Sequence, residues 1–294
     1  MRQRKRRRYI LLFVMLAVVL TACAADKLDP PEPVALKADA VEKVEIRSDC
    51  GCEVDVQQLL SKDLEWDLRG KGPQVLIIHT HATESYAMEN EAEYEETEEF
   101  RTLDEAYNMI SIGNRVAEIL EERGLEVIHD TNFYDYPSYD DSYDLARDAV
   151  AEYLKEHPTI QLVLDLHRDA ALDYDGSQWA PVTEISGETA AKLMLVIGTG
   201  CAEDNQPNWQ ENMALAVKLH AVLETMYPGS CREIGLRSSR FNQDLSVGSV
   251  LVEVGTAGNT HEEAMNAAEA LAEGIMAISE GTQWQENEKI QGDS

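Results

Sequence analysis

Positive charge is what this sequence has least of. Only 25 Lys and Arg stand against 55 Asp and Glu, for a net charge of −30 over 294 residues. Six of those cations (Arg2, Arg4, Lys5, Arg6, Arg7 and Arg8) crowd the N-terminus, leaving 19 against 55 and a net near −36 for the remainder. Nucleic acid is thereby excluded as a partner, because phosphate binding needs the opposite sign. Cysteine is sparse too, and its five copies never take a CxxC spacing, so a thiolate zinc site is not expected. Cys50 and Cys52 are too close for an unstrained bridge, while the spacing leaves a Cys201–Cys231 pairing open. No internal repeat appears, which excludes solenoid architectures.

Long apolar runs are also missing. A bilayer span takes about 20 residues, and the stretch at residues 9–20 falls short of that. Behind its basic segment it reads as a signal peptide. Leu20, Thr21, Ala22 and Cys23 resemble a bacterial lipobox, in which Cys23 carries lipid; an uncleaved N-terminal anchor is the other reading of residues 1–23. Either places the protein at the extracytoplasmic face of the cell membrane, and the lipobox alone makes that membrane bacterial. Residues 24–71, with Pro30, Pro31, Pro33 and many charges, read as a tether with short structure near 54–60. The Glu-rich residues 89–99 read as a solvated loop or as a lid over a site.

Three short apolar runs carry the information that is present. Residues 75–78 lead into His79, His81 and Glu84; residues 162–166 lead into His167, Arg168 and Asp169; residues 250–252 lead into Glu253. Such runs mark buried parallel strands. The pattern predicts strands at 74–79, 125–128, 160–166, 193–198 and 250–254. These alternate with helices at 103–123, 141–156, 209–226 and 260–278. The expected fold is α/β, a mostly parallel sheet with helices on both faces, in one catalytic domain over 72–280 followed by a polar, frayed tail at 281–294.

In such sheets ligands bind at the carboxyl ends of the strands. A catalytic zinc takes three ligands from His and carboxylate and keeps one position for water. The ion lowers the pKa of that water to about 7, and a neighbouring carboxylate can take the proton and return it to a leaving amine. His79, His81, Glu84, His167 and Glu253 supply such a set. On an extended segment His79 and His81 share a face, so either serves as ligand. The plainer reading of Glu253 is an ion pair with Arg168 or Arg240. His129, His157, His220 and His261 have no partner motif and read as structural.

Residues 79–86 (HTHATESY), 164–170 (LDLHRDA), 240–246 (RFNQDLS) and 251–259 (LVEVGTAGN) resemble the motifs of the stage II sporulation protein P family, over about 72–278. That family is similar in turn to zinc N-acetylmuramoyl-L-alanine amidases. The resemblance implies a zinc ion held by His79 or His81, by Glu84 (or Asp104 or Glu105) and by His167. It implies Glu253 as base and then acid, and Arg168, Arg240 and Asn242 as contacts to substrate. It implies cleavage of the amide between N-acetylmuramic acid and L-alanine in peptidoglycan, with cross-link peptides as a further target. It also implies work beside sporulation proteins of the D and M type during septal wall remodelling and engulfment. The competing expectations are a zinc exopeptidase of related fold acting on wall peptides and a non-catalytic binding lipoprotein.

Overall fold

The computed structural model describes residues 34–36, 41–64, 68–89, 93–201, 207–280 and 282–284, the last three by backbone alone. Residues 1–23, read as a signal segment or anchor with Cys23 at its end, lie outside the described residues. In chain order the strands are β1 (Val34–Leu36), β2 (Ile46–Ser48), β3 (Val75–Ile78), β4 (Val127–His129), β5 (Leu162–Asp169), β6 (Val182–Ile185), β7 (Glu188–Ala191), β8 (Leu193–Gly198), β9 (Ile234–Arg237), β10 (Ser249–Thr256) and β11 (Thr282–Trp284). The helices are α1 (Val56–Ser61), α2 (Met109–Glu122), α3 (Ser142–Glu156), α4 (Trp209–Met226) and α5 (His261–Ser279). Among the described residues no helix is long and apolar enough to cross a membrane.

Seven strands form the central sheet in the order β2-β9-β8-β10-β5-β3-β4. β10, β5, β3 and β4 run parallel, as do β8, β9 and β2. The two blocks meet at one antiparallel pair, β10 with β8. The sheet is therefore mostly parallel and the fold is α/β, as expected. Strand direction also separates two edges. The carboxyl ends of β3, β5 and β10 share one, and those of β2, β8 and β9 share the other.

Alternate residues of each strand enter different layers, because side chains on a strand alternate in direction. Val75, Ile77, Leu164, Leu166, Val252 and Val254 pack with Met109, Val116, Leu219 and Leu271 of α2, α4 and α5. Leu76, Ile78 and Val163 pack with Ala146 and Val150 of α3 and with Leu245, and Leu251 packs with Met194, Val196 and Phe241. One face thus carries three helices. The other has α3 and the short segment around Phe241 to cover it, and polar residues of β5 and β10 occupy what remains.

The strongly periodic helices lie where the pattern put them, with one shift at a start. The helix expected from 103 begins at Met109, because Asn108 Oδ1 accepts from the Ile110 amide while its Nδ2 donates to the Thr102 carbonyl. The stretch read as a tether contributes β1, β2 and α1 to the fold. β2 pairs with β9 at the sheet edge, and α1 packs on α4, whose Lys218 Nζ donates to the Leu60 carbonyl. Residues 282–284, read as frayed tail, pair in parallel with β1. Each of these elements is short and finds its partner far along the chain. The hairpin β6–β7 was likewise unforeseen; it turns at Ser186 and Gly187, both at positive φ.

Gly198 ends β8 where the chain presses on the loop after β9. A Cβ there would lie 2.3 Å from the Ser239 carbonyl oxygen and 2.9 Å from Arg240 Cα. That loop cannot retreat freely, since Gln243 bonds through both side-chain ends to Gly198 N and Val196 O. Gly198→Ala is expected to lower stability by about 3 kcal/mol in urea denaturation; an unchanged midpoint would mean that the loop yields.

Candidate functional site

The two histidines of the first motif part company as soon as β3 ends. His79 keeps the phase of Val75 and Ile77 and points under α2; His129, in phase with Val127 on β4, meets it there. His79 Nδ1–H donates to the Leu166 carbonyl (3.1 Å), and its Nε2 lies 2.8 Å from His129 Nε2. Both nitrogens are engaged. A Cβ on Gly113 would stand 2.4 Å from His129 Nε2 and 2.5 Å from His79 Nε2, so α2 admits the pair only because that position is glycine. Burial, with His129 second, pushes the His79 pKa down to about 3.

His81 follows a different course. Residues 80–83 form a turn, which breaks the alternation that would have set both imidazoles on one face. Its ring stacks on Tyr139 (centroids 4.4 Å) and meets His167 edge-on at 5.3 Å. Burial first, and His167 second, lower its pKa to about 4. Its Nδ1 is buried with no hydrogen-bond partner, 4.0 Å from Asp135 Oδ2.

Glu84 lies at the centre of a web of cations. Oε2 accepts from the Arg168 amide at 3.1 Å and is 3.5 Å from His167 Nδ1; Oε1 is 3.4 Å from Arg101 and 3.6 Å from the Arg168 guanidinium. Burial works to raise its pKa, but Arg168 and His167 outweigh it and hold the carboxyl well below the ordinary range. Arg101 also donates to Asp135 at 2.8 Å, and Asp135 accepts from the Thr83 hydroxyl at 2.6 Å. Asp104 and Glu105 are exposed, and Asp104 caps its own turn through the Ala106 amide.

The polar residues of β5 and β10 complete the cluster on the thinly covered face. Asp165 and His167 are two apart on β5, and Glu253 stands in register with His167 on the neighbouring strand. Asp165 accepts from the Thr80 amide and hydroxyl at 2.9 and 2.7 Å, which anchors the turn. His167 Nε2 is 2.9 Å from Asp165 Oδ1, yet it makes no aligned hydrogen bond. Burial opposes its protonation, but Asp165 and Glu84 prevail and raise its pKa well above the usual value. Glu253 Oε2 is buried and without a partner. Burial pushes that carboxyl up to about 8, with His167 pulling the other way.

Of the expected substrate contacts, two are turned inward. Arg168 is 6% exposed and donates to the carbonyls of Ser85 and Phe100, both at 2.9 Å. Asn242 donates to the Tyr143 carbonyl at 2.8 Å. Arg240 is partly exposed in the same loop as Asn242. Of the Glu-rich stretch, residues 90–92 lie outside the described residues. Residues 95–99 are exposed, while Tyr94 is buried and its hydroxyl donates to the Tyr86 carbonyl.

Asp135, Arg101, Asp165, Tyr139 and Tyr143 belong to the cluster and were not singled out as site residues. Only Asp165 had a signal, since i, i+2 spacing on a strand puts it on the face of His167. His81, Glu84 and His167 have the donor chemistry of a zinc site, and the unpartnered His81 Nδ1 and His167 Nε2 fit a missing ligand. Their donors are not gathered at ligand spacing, however. Among the described residues the trio so gathered is Cys50, Cys52 and Cys201. Cys201 therefore sits with Cys50 and Cys52, and not with Cys231, which lies against Ser230; all four thiols are free.

Fold and site define a class: an α/β protein with a buried histidine–carboxylate cluster at the carboxyl edge of its parallel block. Sequence comparison supplies the family. The pattern of the Stage II sporulation protein P (SpoIIP) family matches residues 24–276, and the chain belongs to that family. It is 28% identical over 236 residues to the Stage II sporulation protein P of Bacillus subtilis (strain 168), covering 75% of this chain and 56% of that protein. The chain thus spans a little over half the length of that relative. Similar solved structures include the N-acetylmuramoyl-L-alanine amidase AmiC2 of Nostoc punctiforme (16% identity, TM-score 0.41, 71% of this chain and 98% of that one). Another is the CwlD amidase from Clostridioides difficile in complex with the GerS lipoprotein (15% identity, TM-score 0.44, 70% and 98%). The α/β assignment rests on the chain's own strand order.

Arg168→Ala would take from buried Glu84 one of its two guanidinium partners and from the Ser85 and Phe100 carbonyls their side-chain donor. It is expected to cost about 3–5 kcal/mol in urea denaturation. A weakened KM with unchanged stability would instead return Arg168 to the role of a substrate contact.

Proposed function

We propose that this chain is a metal-dependent peptidoglycan hydrolase that cleaves the amide between N-acetylmuramic acid and L-alanine during sporulation. One observation carries the reading: His81 Nδ1 and Glu253 Oε2 are buried polar atoms with no hydrogen-bond partner, in one cluster with His167, whose Nε2 has only a charge contact with Asp165 at 2.9 Å. Orphaned buried polar atoms are costly, and a native fold keeps them where a ligand completes them. Family membership supports the sporulation setting, and the resemblance of residues 164–170 and 251–259 to amidase motifs supports the bond chosen. Peptide cross-links are a further target, the extracytoplasmic membrane face is the workplace, and sporulation proteins of the D and M type are the partners implied.

The chemistry follows from the side chains. A zinc ion held by His81, Glu84 and His167 would supply an acidified water and a positive charge facing the amide oxygen. Glu253 takes the proton of the attacking water and delivers it to the departing amine; a carboxyl poised near neutrality is suited to both transfers. Arg168 and Arg101 keep Glu84 ionised, and Asp165 orients His167 while it fastens the turn that carries His81. His79 supports the turn from beneath, and Tyr139 covers the His81 ring.

Purified chain incubated with peptidoglycan should release intact stem peptides beginning with L-alanine and leave the glycan uncut. Stepwise release of single amino acids would favour the exopeptidase reading, and the absence of bound zinc together with the absence of cleavage would favour a binding protein. Glu253→Gln should keep its zinc while turnover falls about 10³-fold. His81→Ala should lose zinc in elemental analysis, and His79→Ala should keep it; the opposite pattern would exchange their roles.

A further inference from the structure

The sulfurs of Cys50, Cys52 and Cys201 lie within 4.8 Å of one another, with no disulfide among them. They are remote from the histidine–carboxylate cluster. Cys50 and Cys52 follow β2 and Cys201 follows β8, so the trio occupies the sheet edge opposite that cluster. Glu253 pairs with Met194 on β8, and the chain from Met194 to Cys201 advances on the order of 20 Å along the strand direction.

The juxtaposition is built by the fold. β2, β9 and β8 are parallel neighbours, and the exit of β9 braces the segments on both sides. The Asp49 amide donates to the Leu236 carbonyl, and Asp49 Oδ1 accepts from the Ser238 amide. On the other flank the amides of Thr199 and Gly200 donate to the carbonyls of Arg237 and Ser239. Between the first two cysteines Gly51 takes φ +69 with nothing within 4 Å of where a Cβ would stand, a left-handed corner that brings both sulfurs to the same side. Cys50 and Cys52 rest against the rim of the main core, and Cys201 is exposed. The pocket of sulfur is dry on one side and open to solvent on the other.

We propose that Cys50, Cys52 and Cys201 form a three-thiolate site for a thiophilic d10 cation, of which monovalent copper is the best fit. Thiolates select soft ions and reject magnesium or calcium. A closed structural zinc site takes four protein ligands, and among the described residues no fourth His, Cys, Asp or Glu joins the trio. Three sulfurs suit a cation content with three-fold coordination. Each thiol releases its proton as the metal–sulfur bond forms. The bound ion would tie the segment after β2 to the end of β8, closing a loop of some 150 residues, and such closure limits the freedom of the unfolded chain. This site is independent of the hydrolase reading, and His81→Ala should leave it intact.

Reduced full-length chain, titrated anaerobically with monovalent copper against a chromogenic chelator, should bind one equivalent with a sulfur-to-copper charge-transfer band. Nitrogen and oxygen ligands cannot produce that band, so metal in the other site does not confuse the result. Cys201→Ser, at an exposed position, should weaken binding by about 100-fold or more and abolish the thermal stabilisation that copper confers. Cys231→Ser should change neither. X-ray absorption on the loaded wild-type chain should find three sulfurs around copper. No charge-transfer band, a band undiminished in Cys201→Ser, or a sulfur count below three would each overturn the proposal.

Discussion

Arg168 holds the site together. Its guanidinium donates to the carbonyls of Ser85 and Phe100, and it flanks the carboxylate of Glu84, whose other oxygen accepts from the Arg168 amide. One buried cation thus joins the end of β5, the turn after β3 and the acidic excursion at 95–101. A carboxylate only 5% exposed cannot stay ionised without such company. In a chain with 55 acidic and 25 basic residues, the few cations brought inside have disproportionate structural weight. Arg101 repeats the device one step outward, linking Glu84 to Asp135 and, through Thr83, to the turn again.

The second constraint is the unequal covering of the two sheet faces. Three helices press on one side, and the residues in phase with that side are aliphatic or, like His79, locked into internal hydrogen bonds. The opposite side is only partly roofed, by α3 and the segment around Phe241, and it is there that Asp165, His167 and Glu253 point. Alternation along a strand therefore decides which polar residues become a site and which become part of the packing. His79 and His81, two residues apart, fall on different sides of that division because the chain leaves the extended state at Ile78.

A good deal of this was readable from the residues. The runs at 75–78, 162–166 and 250–254 are strands because continuous β-branched and aliphatic residues suit burial on both faces. The helices at 142–156 and 209–226 were placed to within a residue because their termini are marked by His157-Pro158 and Pro228-Gly229. That His81, Glu84, His167 and Glu253 cluster followed from each standing at or just beyond a strand end. The short strands β2 and β9 were not visible, since three or four residues with mixed polarity carry no period. The inward turn of Arg168 and Asn242 was hidden for another reason: a polar residue in a motif looks the same whether it faces substrate or a carbonyl oxygen.

The sequence alone determined the α/β layering, the family and the identity of the principal polar residues, because hydrophobic period and motif spelling are local properties. Tertiary structure parted His79, locked under α2, from His81, set Glu84 rather than the exposed Asp104 or Glu105 beside His167, and put Cys201 beside the Cys50–Cys52 pair rather than Cys231. Each of those choices depends on where a side chain points after the chain has turned and on which distant strand lies beside it. Sequence spacing carries neither quantity; hydrogen bonds and burial, made only in the folded sheet, supply both.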